Sequence, residues 1–326
     1  MSAATKNAGQ NTGKIYFAAT GWDPEIWMKA FAKSAPEREI VTEVKAGEEA
    51  SIDYALVWKQ KRGSLANLPN LKVIFSLGAG VDHVFHDDQV PDLPIVRTVS
   101  PDLTMRMTEY VVWQVLDHHR LGAQYRAQQL KKIWREDRRQ PAANEVNVGI
   151  MGLGVLGRDA ADKLKHIGFN VSGWSRRPQD VAGVTTYHGQ DGLTDFLKQV
   201  DILVCLLPLT PDTKGILSMS VFGRMKEDGP LGAPILINAG RGGLQNEADI
   251  QAALERGLLS AASLDVFETE PLPETSPLWG NPKITITPHA AASSSANALA
   301  PEIIKMIRDY EHDGTLVNLV DREKQY

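Results

Sequence analysis

Cysteine is almost missing from this chain: one residue, Cys205, in 326. A lone thiol excludes an internal disulfide and any zinc or iron–sulfur site built from several cysteines, and no metal site is expected. Because Cys205 lies within Ile202-Leu203-Val204-Cys205-Leu206-Leu207, it reads as a small buried hydrophobe. Long apolar runs are missing as well. No stretch approaches the roughly 18 apolar residues that a bilayer span requires, which argues against a membrane role. A dominant charge is the third absence. The 35 Lys and Arg against 40 Asp and Glu leave −5, too mild a field to draw nucleic acid or an anionic membrane surface. Residues 1–13 are small and polar with no apolar core, so they read as a flexible tail and not a secretion signal. These absences predict a cytoplasmic, reducing location.

What is present is organised around Val146-Asn147-Val148-Gly149-Ile150-Met151-Gly152-Leu153-Gly154-Val155-Leu156-Gly157. An apolar strand feeds Gly-x-Gly-x-x-Gly, whose glycines permit a tight turn, close approach to a pyrophosphate and close helix-to-strand packing. Leu156, Ala160, Leu164 and Ile167 then recur at helical spacing, and Gly168 sits where a left-handed cap would end the helix. A second strand follows and ends at Ser175-Arg176-Arg177. An NAD site places a carboxylate there for the ribose 2′-hydroxyl. A hydroxyl and two guanidiniums suit a 2′-phosphate instead, so NADPH/NADP+ is the expected cofactor, with NADH weaker.

The length suits two domains. Strands are expected at 15–20, 39–44, 54–58, 73–76 and 95–98, with a helix at Pro24–Ser34 carrying Ile26, Trp27, Ala30 and Phe31 on one side. The glycine turn Leu77-Gly78-Ala79-Gly80-Val81-Asp82 follows the fourth strand and could offer backbone N–H groups to an anion. Helices are expected at 104–120 and 124–132. After Arg177, strands at 201–207, 235–238, 261–266 and 284–287 alternate with a helix at 247–256, which implies a parallel sheet covered on both faces. The helix from 293 to 313 is expected to return to the first lobe.

Three polar residues fall at or beyond the carboxyl ends of the later strands, where open α/β sheets bind ligands: Arg241, Glu270 and His289. Reduction of a 2-oxo acid needs a fixed cation for the carboxylate, which the Arg241 fork can supply. It also needs a proton donor for the developing alkoxide, and an imidazole such as His289 can give a proton in reduction and take one in oxidation. Glu270, against the far ring nitrogen, would stabilise the imidazolium and fix the tautomer.

Gly152-Leu153-Gly154-Val155-Leu156-Gly157, Asn238-Ala239-Gly240-Arg241-Gly242, Leu264-Asp265-Val266-Phe267-Glu268-Thr269-Glu270-Pro271-Leu272 and Thr287-Pro288-His289-Ala290-Ala291 resemble, in order, the motifs of the D-isomer-specific 2-hydroxyacid dehydrogenases. The resemblance runs from about Tyr54 to Leu319 and is greatest for the glyoxylate/hydroxypyruvate reductase A group, supported by Ala55-Leu56-Val57-Trp58-Lys59 and the Ser-Arg-Arg signature. It implies an α/β fold of two Rossmann-like or flavodoxin-like lobes with parallel sheets and the active site in the cleft between them. The substrate-binding (catalytic) domain would comprise 14–103 and 293–326, the dinucleotide-binding domain 104–292.

The implied catalytic set is Arg241, Glu270 and His289. The implied cofactor residues are Gly152, Gly154, Val155, Leu156, Gly157, Ser175, Arg176, Arg177, Leu207, Pro208, Thr213, Ala239, Gly240 and Asp265, the last near the nicotinamide carboxamide or bonded to backbone. Trp58, Lys59, Leu77, Gly78, Ala79 and Gly80 would join Arg241 and His289 around the substrate. The implied reaction is NADPH-dependent reduction of glyoxylate to glycolate and of hydroxypyruvate to D-glycerate. Alternatives are another 2-hydroxy acid, for example one related to phenylpyruvate, or a non-catalytic dinucleotide-sensing protein like the corepressors that share this fold. A homodimer is implied, with the segment 125–139 reaching the partner and Trp134 as its anchor.

Overall fold

The computed structural model describes residues 13–326; apart from Gly13, the tail expected at 1–13 lies outside the described residues. The chain divides into two units, one made of the chain up to Ser100 together with Ser294–Tyr326, the other of Pro101–Ser293.

The first unit contains β1 (Lys14–Ala19), α1 (Pro24–Ser34), β2 (Ile40–Val41), β3 (Ile52–Trp58), β4 (Val73–Ser76), α2 (Asp82–Phe85), β5 (Ile95–Val96) and the C-terminal helix Ala296–Asp313. Its five strands form one parallel sheet in the order β2-β1-β3-β4-β5. Alternation along β3 sorts the core: Tyr54 and Leu56 pack with α1 and the C-terminal helix, while Ala55 and Val57 pack on the other face with Leu65 and Ile74. Asp23 caps α1 by accepting the Glu25 N–H at 3.0 Å, and Pro24 fits the first turn. Trp27, Ala30 and Phe31 are buried as expected, but Ile26 is exposed. It lies one residue, and so about 100°, off the i, i+3, i+4 stripe that begins at Trp27.

The second unit begins with α3 (Pro101–His119) and α4 (Gly122–Leu130), then runs β6 (Asn147–Met151), α5 (Val155–Ile167), β7 (Asn170–Ser175), β8 (Thr185–His188), α6 (Gly189–Leu197) and β9 (Ile202–Cys205). It ends with α7 (Met219–Phe222), β10 (Ile235–Asn238), α8 (Glu247–Arg256), β11 (Ala261–Leu264) and β12 (Ile284–Ile286). α3 starts three residues before its expected limit because Pro101 is tolerated in a first helical turn. The sheet is parallel throughout, in the order β12-β11-β10-β9-β6-β7-β8. Val148, Ile150, Val204 and Ile237 face α3 and α5 on one side; Met151, Leu203, Cys205 and Leu236 face Phe196, Phe222 and Ile250 on the other. Burial pushes the Cys205 thiol up to about 12, as befits a core residue. On α5 the buried residues are Gly157, Ala160, Ala161 and Leu164, whereas Ile167, in the last turn before the left-handed Gly168, is 41% exposed. Among the described residues no helix is long and apolar enough to cross a membrane.

A buried polar link joins α3 to β11. His118 Nε2 lies 2.8 Å from Ser263 Oγ, and Ser263 donates to Gln114 Oε1 at 2.7 Å. Ser263 gives its one proton to Gln114, so His118 donates from Nε2. Burial holds the His118 imidazole down to about 4 from 6.5. The neutral form is therefore favoured in the fold. Its contribution to stability is complete above 6.5 and is lost as pH falls from 6.5 towards 4, a difference on the order of 3 kcal/mol. His118→Gln, whose amide can still donate to Ser263, is expected to flatten the denaturant midpoint against pH across that window. An unchanged slope would assign the acid sensitivity elsewhere.

Candidate active site

A parallel sheet puts all its strand carboxyl ends on one edge, and the strand order reverses between β6 and β9. Open α/β sheets bind ligands at such a switch point. The loop after β6 is the glycine turn. Gly152 has φ +105°, and a Cβ on Gly157 would lie 1.8 Å from the Gly152 carbonyl oxygen. α5 can approach its strand this closely only with glycine there. Gly154 is the N-cap and no side chain caps α5, so the first N–H groups are left for an anion. Val155, beside them, is exposed.

At the end of β7 the Ser175 hydroxyl donates to the Arg177 carbonyl at 2.7 Å, closing the turn that displays both arginines. Arg176 reaches Asp212 at 3.1 Å. Both guanidinium-bearing residues are exposed. After β9, Leu207 is buried in the core, while Thr213 donates to the Pro208 carbonyl at 2.7 Å and accepts the Thr210 N–H at 2.8 Å, fixing the loop.

After β10, Ala239 is buried and Gly240 donates its N–H to Asn238 Oδ1 at 3.0 Å. Asn238 Nδ2 donates to the Arg241 carbonyl at 3.1 Å and to Gln245 Oε1 at 2.8 Å, and Gln245 in turn donates to the Val266 carbonyl at 2.9 Å. This buried amide pair fixes the backbone that bears Arg241, whose Nη1 donates to the Gly240 carbonyl at 2.9 Å.

Asp265, 1% exposed, follows β11. Its carboxylate accepts from Thr287 Oγ1 at 2.6 Å and from the N–H groups of Ala290 at 2.9 Å and Ala291 at 3.0 Å. Thr287 gives its proton to Asp265, so it accepts from the Tyr110 hydroxyl at 2.9 Å. Burial raises the Tyr110 hydroxyl well above its ordinary value, which keeps that donor protonated. The same clamp holds His289 in a left-handed conformation, φ +53°, with its N–H on the Asp265 carbonyl at 2.8 Å. His289 Nδ1 lies 2.8 Å from Glu270 Oε2, and Glu270 Oε1 accepts the Phe267 N–H at 3.2 Å. With Nδ1 donating to a carboxylate, Nε2 is the ring nitrogen left to exchange a proton.

In the first unit, Trp58 and Lys59 close β3 and Leu77 to Gly80 follow β4. The Leu77 side chain is fully buried and its N–H is given to the Val57 carbonyl at 3.0 Å. Leu77 thus belongs to the core and the sheet, and a ligand could meet only the loop beyond it. Lys59 is exposed with φ +45°, and the Trp58 ring packs between Trp22 at 5.6 Å and His83 at 4.8 Å.

Residues 112–291, more than half of the chain and all within the second unit, match the family described as D-isomer specific 2-hydroxyacid dehydrogenase, NAD binding domain. The chain belongs to this family. A glyoxylate/hydroxypyruvate reductase A from Yersinia enterocolitica is 36% identical over 322 residues, 96% of this chain and 99% of that one. Among solved structures, an NADPH-dependent glyoxylate/hydroxypyruvate reductase from Sinorhizobium meliloti, in complex with NADP and sulfate, is 45% identical with a TM-score of 0.92, covering 96% of this chain and 100% of that one. A D-isomer specific 2-hydroxyacid dehydrogenase from Xanthobacter autotrophicus Py2, in complex with NADPH and MES, is 35% identical with a TM-score of 0.90, covering 97% and 100%.

As a D-isomer specific 2-hydroxyacid dehydrogenase, the chain has supporting residues that the sequence reading missed. Arg158 on α5 donates to the Leu153 carbonyl at 3.0 Å and to the Asp180 carbonyl at 2.9 Å, tying the glycine turn to the loop after β7. Asn238, Gln245 and Tyr110 act in the same way on the later loops. Only the polar character of Asn238 and Gln245 beside an apolar strand could have singled them out.

Proposed function

We propose that this protein reduces small 2-oxo acids with NADPH, taking glyoxylate to glycolate and hydroxypyruvate to D-glycerate. The observation that carries the reading is the 2.8 Å contact of His289 with Glu270 on the same sheet edge as Arg241 and the uncapped glycine turn. The donor set suits a dinucleotide: the free N-terminus of α5 would hold its pyrophosphate, and Arg176 and Arg177 its 2′-phosphate. NADPH, when bound, supplies the hydride. The Arg241 fork grips the substrate carboxylate, and substrate-binding roles are also assigned to the Gly78 to Gly80 loop and the Trp58-Lys59 segment of the first unit. His289 Nε2 gives its proton to the oxygen that becomes the hydroxyl. Glu270 offsets the charge left on the ring, and Asp265 keeps the loop in place.

The deciding experiment is a panel of 2-oxo acids run with NADPH and NADH in parallel on the purified protein. Glyoxylate and hydroxypyruvate should turn over fastest, with NADPH favoured. A preference for a bulkier 2-oxo acid would change the substrate, and no turnover at all would turn the reading towards a dinucleotide sensor. We further assign a cytoplasmic homodimer. Trp134 is fully exposed, with Leu130 and Ile133 exposed beside it, a surface that suits burial against a second copy. Light scattering on the same sample should give the dimer mass, and a monomer would exclude this arrangement.

A further inference from the structure

His83 is absent from every role assigned so far, yet it is 6% exposed and sits between two loops at the carboxyl edge of the first unit. Its Nδ1 accepts the Lys59 N–H at 3.2 Å, and its Nε2 lies 3.1 Å from Ser76 Oγ. Ser76 donates to the Gly78 carbonyl at 3.1 Å and accepts the Gly78 N–H at 3.3 Å. Because the serine proton goes to a carbonyl, Ser76 Oγ must accept from His83 Nε2–H, which matches the tautomer that leaves Nδ1 free for Lys59. One neutral ring therefore ties the end of β3 to the end of β4.

Both ties act on constrained backbone. Lys59 has φ +45°, a left-handed conformation that costs a non-glycine residue about 1 kcal/mol. Gly78 is pressed against Trp58 so closely that a Cβ would lie 2.3 Å from the indole Cζ3, while the His83 ring packs on that indole at 4.8 Å. Thr98 completes the bracket by donating its hydroxyl to the Ser76 carbonyl at 2.7 Å and its N–H to the Gly78 carbonyl at 3.2 Å.

We infer that His83 is a positioning residue for the substrate carboxylate: by bonding Lys59 N–H and Ser76 Oγ together, it sets the Trp58-Lys59 segment and the Gly78 to Gly80 loop at the spacing from which they take a small 2-oxo acid. This rests on the substrate role proposed above for those two segments. Because His83 acts through its bonds to Lys59 and Ser76, its signature lies in substrate affinity and not in the chemical step.

Three replacements separate the two ties. His83→Asn keeps an acceptor near Nδ1 for Lys59, His83→Gln keeps a donor near Nε2 for Ser76, and His83→Leu keeps neither. In His83→Leu the KM for glyoxylate should rise about tenfold, with kcat and the KM for NADPH within about twofold of the parent. Each amide variant should recover part of that loss. Titration of the NADPH-loaded protein with oxalate, an unreactive dicarboxylate, should show the same order of affinities. An unchanged KM and unchanged oxalate affinity in a folded His83→Leu protein would overturn the inference. So would a fall of kcat, substrate affinity and NADPH affinity in step, the mark of a merely structural residue, or a parent protein that does not bind oxalate. If the parent binds oxalate but reduces no 2-oxo acid, the reductase reading fails while the oxalate series still decides the role of His83.

Discussion

Exchanging His289 for asparagine should lower kcat for glyoxylate reduction by about a thousandfold while leaving NADPH affinity intact. The replacement isolates proton transfer from backbone strain. Position 289 has φ +53°, and asparagine accepts the left-handed region more readily than most residues, so the loop anchored on Asp265 should keep its shape. The asparagine amide can still face Glu270 but carries no titratable proton towards the substrate oxygen. Glu270→Gln should be milder, about 10- to 100-fold, because an amide oxygen can still accept from Nδ1–H while the charge that balances the imidazolium is gone. Steady-state kinetics together with NADPH fluorescence titration check both. A His289→Asn protein within tenfold of the parent would remove His289 from the chemistry.

The glycine turn offers the second large effect. A Cβ at Gly157 would meet the Gly152 carbonyl oxygen at 1.8 Å, a backbone atom that cannot swing aside, so Gly157→Ala must displace α5 or the turn itself. Overpacking of this kind costs about 1–3 kcal/mol, and the displaced N–H groups should weaken NADPH binding about 100-fold. Gly154 is the informative contrast, because a Cβ there meets nothing within 4 Å and serine is a favoured N-cap. Gly154→Ser should therefore keep or raise Tm and still weaken NADPH, by filling space that the pyrophosphate would use. Thermal melts beside fluorescence titrations separate the two cases. If Gly157→Ala bound NADPH normally, the turn would not be the phosphate site.

The contrast between these residues explains what could be read from the chain alone. The strands of both sheets announce themselves as apolar runs, and the glycine spacing carries its own steric logic, so the α/β architecture and the order of the loops at the carboxyl edge were legible. β8 was not: Thr185-Thr186-Tyr187-His188 is a half-exposed edge strand with no apolar run to mark it. The supporting contacts were also hidden, because Tyr110 meets Thr287 177 positions away and His118 meets Ser263 145 positions away. Nothing local to either residue specifies such a partner. Leu77 and Ser175 show the converse limit. Each stands in a motif that points to a ligand, yet the Leu77 side chain is needed by the core and the Ser175 hydroxyl by its own turn.

The division of the chain also orders its assembly during synthesis. The first unit packs Leu299, Ala300, Ile303, Ile304 and Ile307 of the C-terminal helix into the same core as Phe17, Trp27 and Phe75. Those early residues leave the ribosome long before their partners, and the whole of Pro101–Ser293 emerges in between. The second unit can close its sheet as soon as β12 is made, whereas the face of the first unit's sheet that α1 covers in part also waits for a helix translated after Pro101–Ser293. Until that helix is made, the apolar residues it covers lack part of their packing, so the first unit's core is completed only after the second unit's chain has been made.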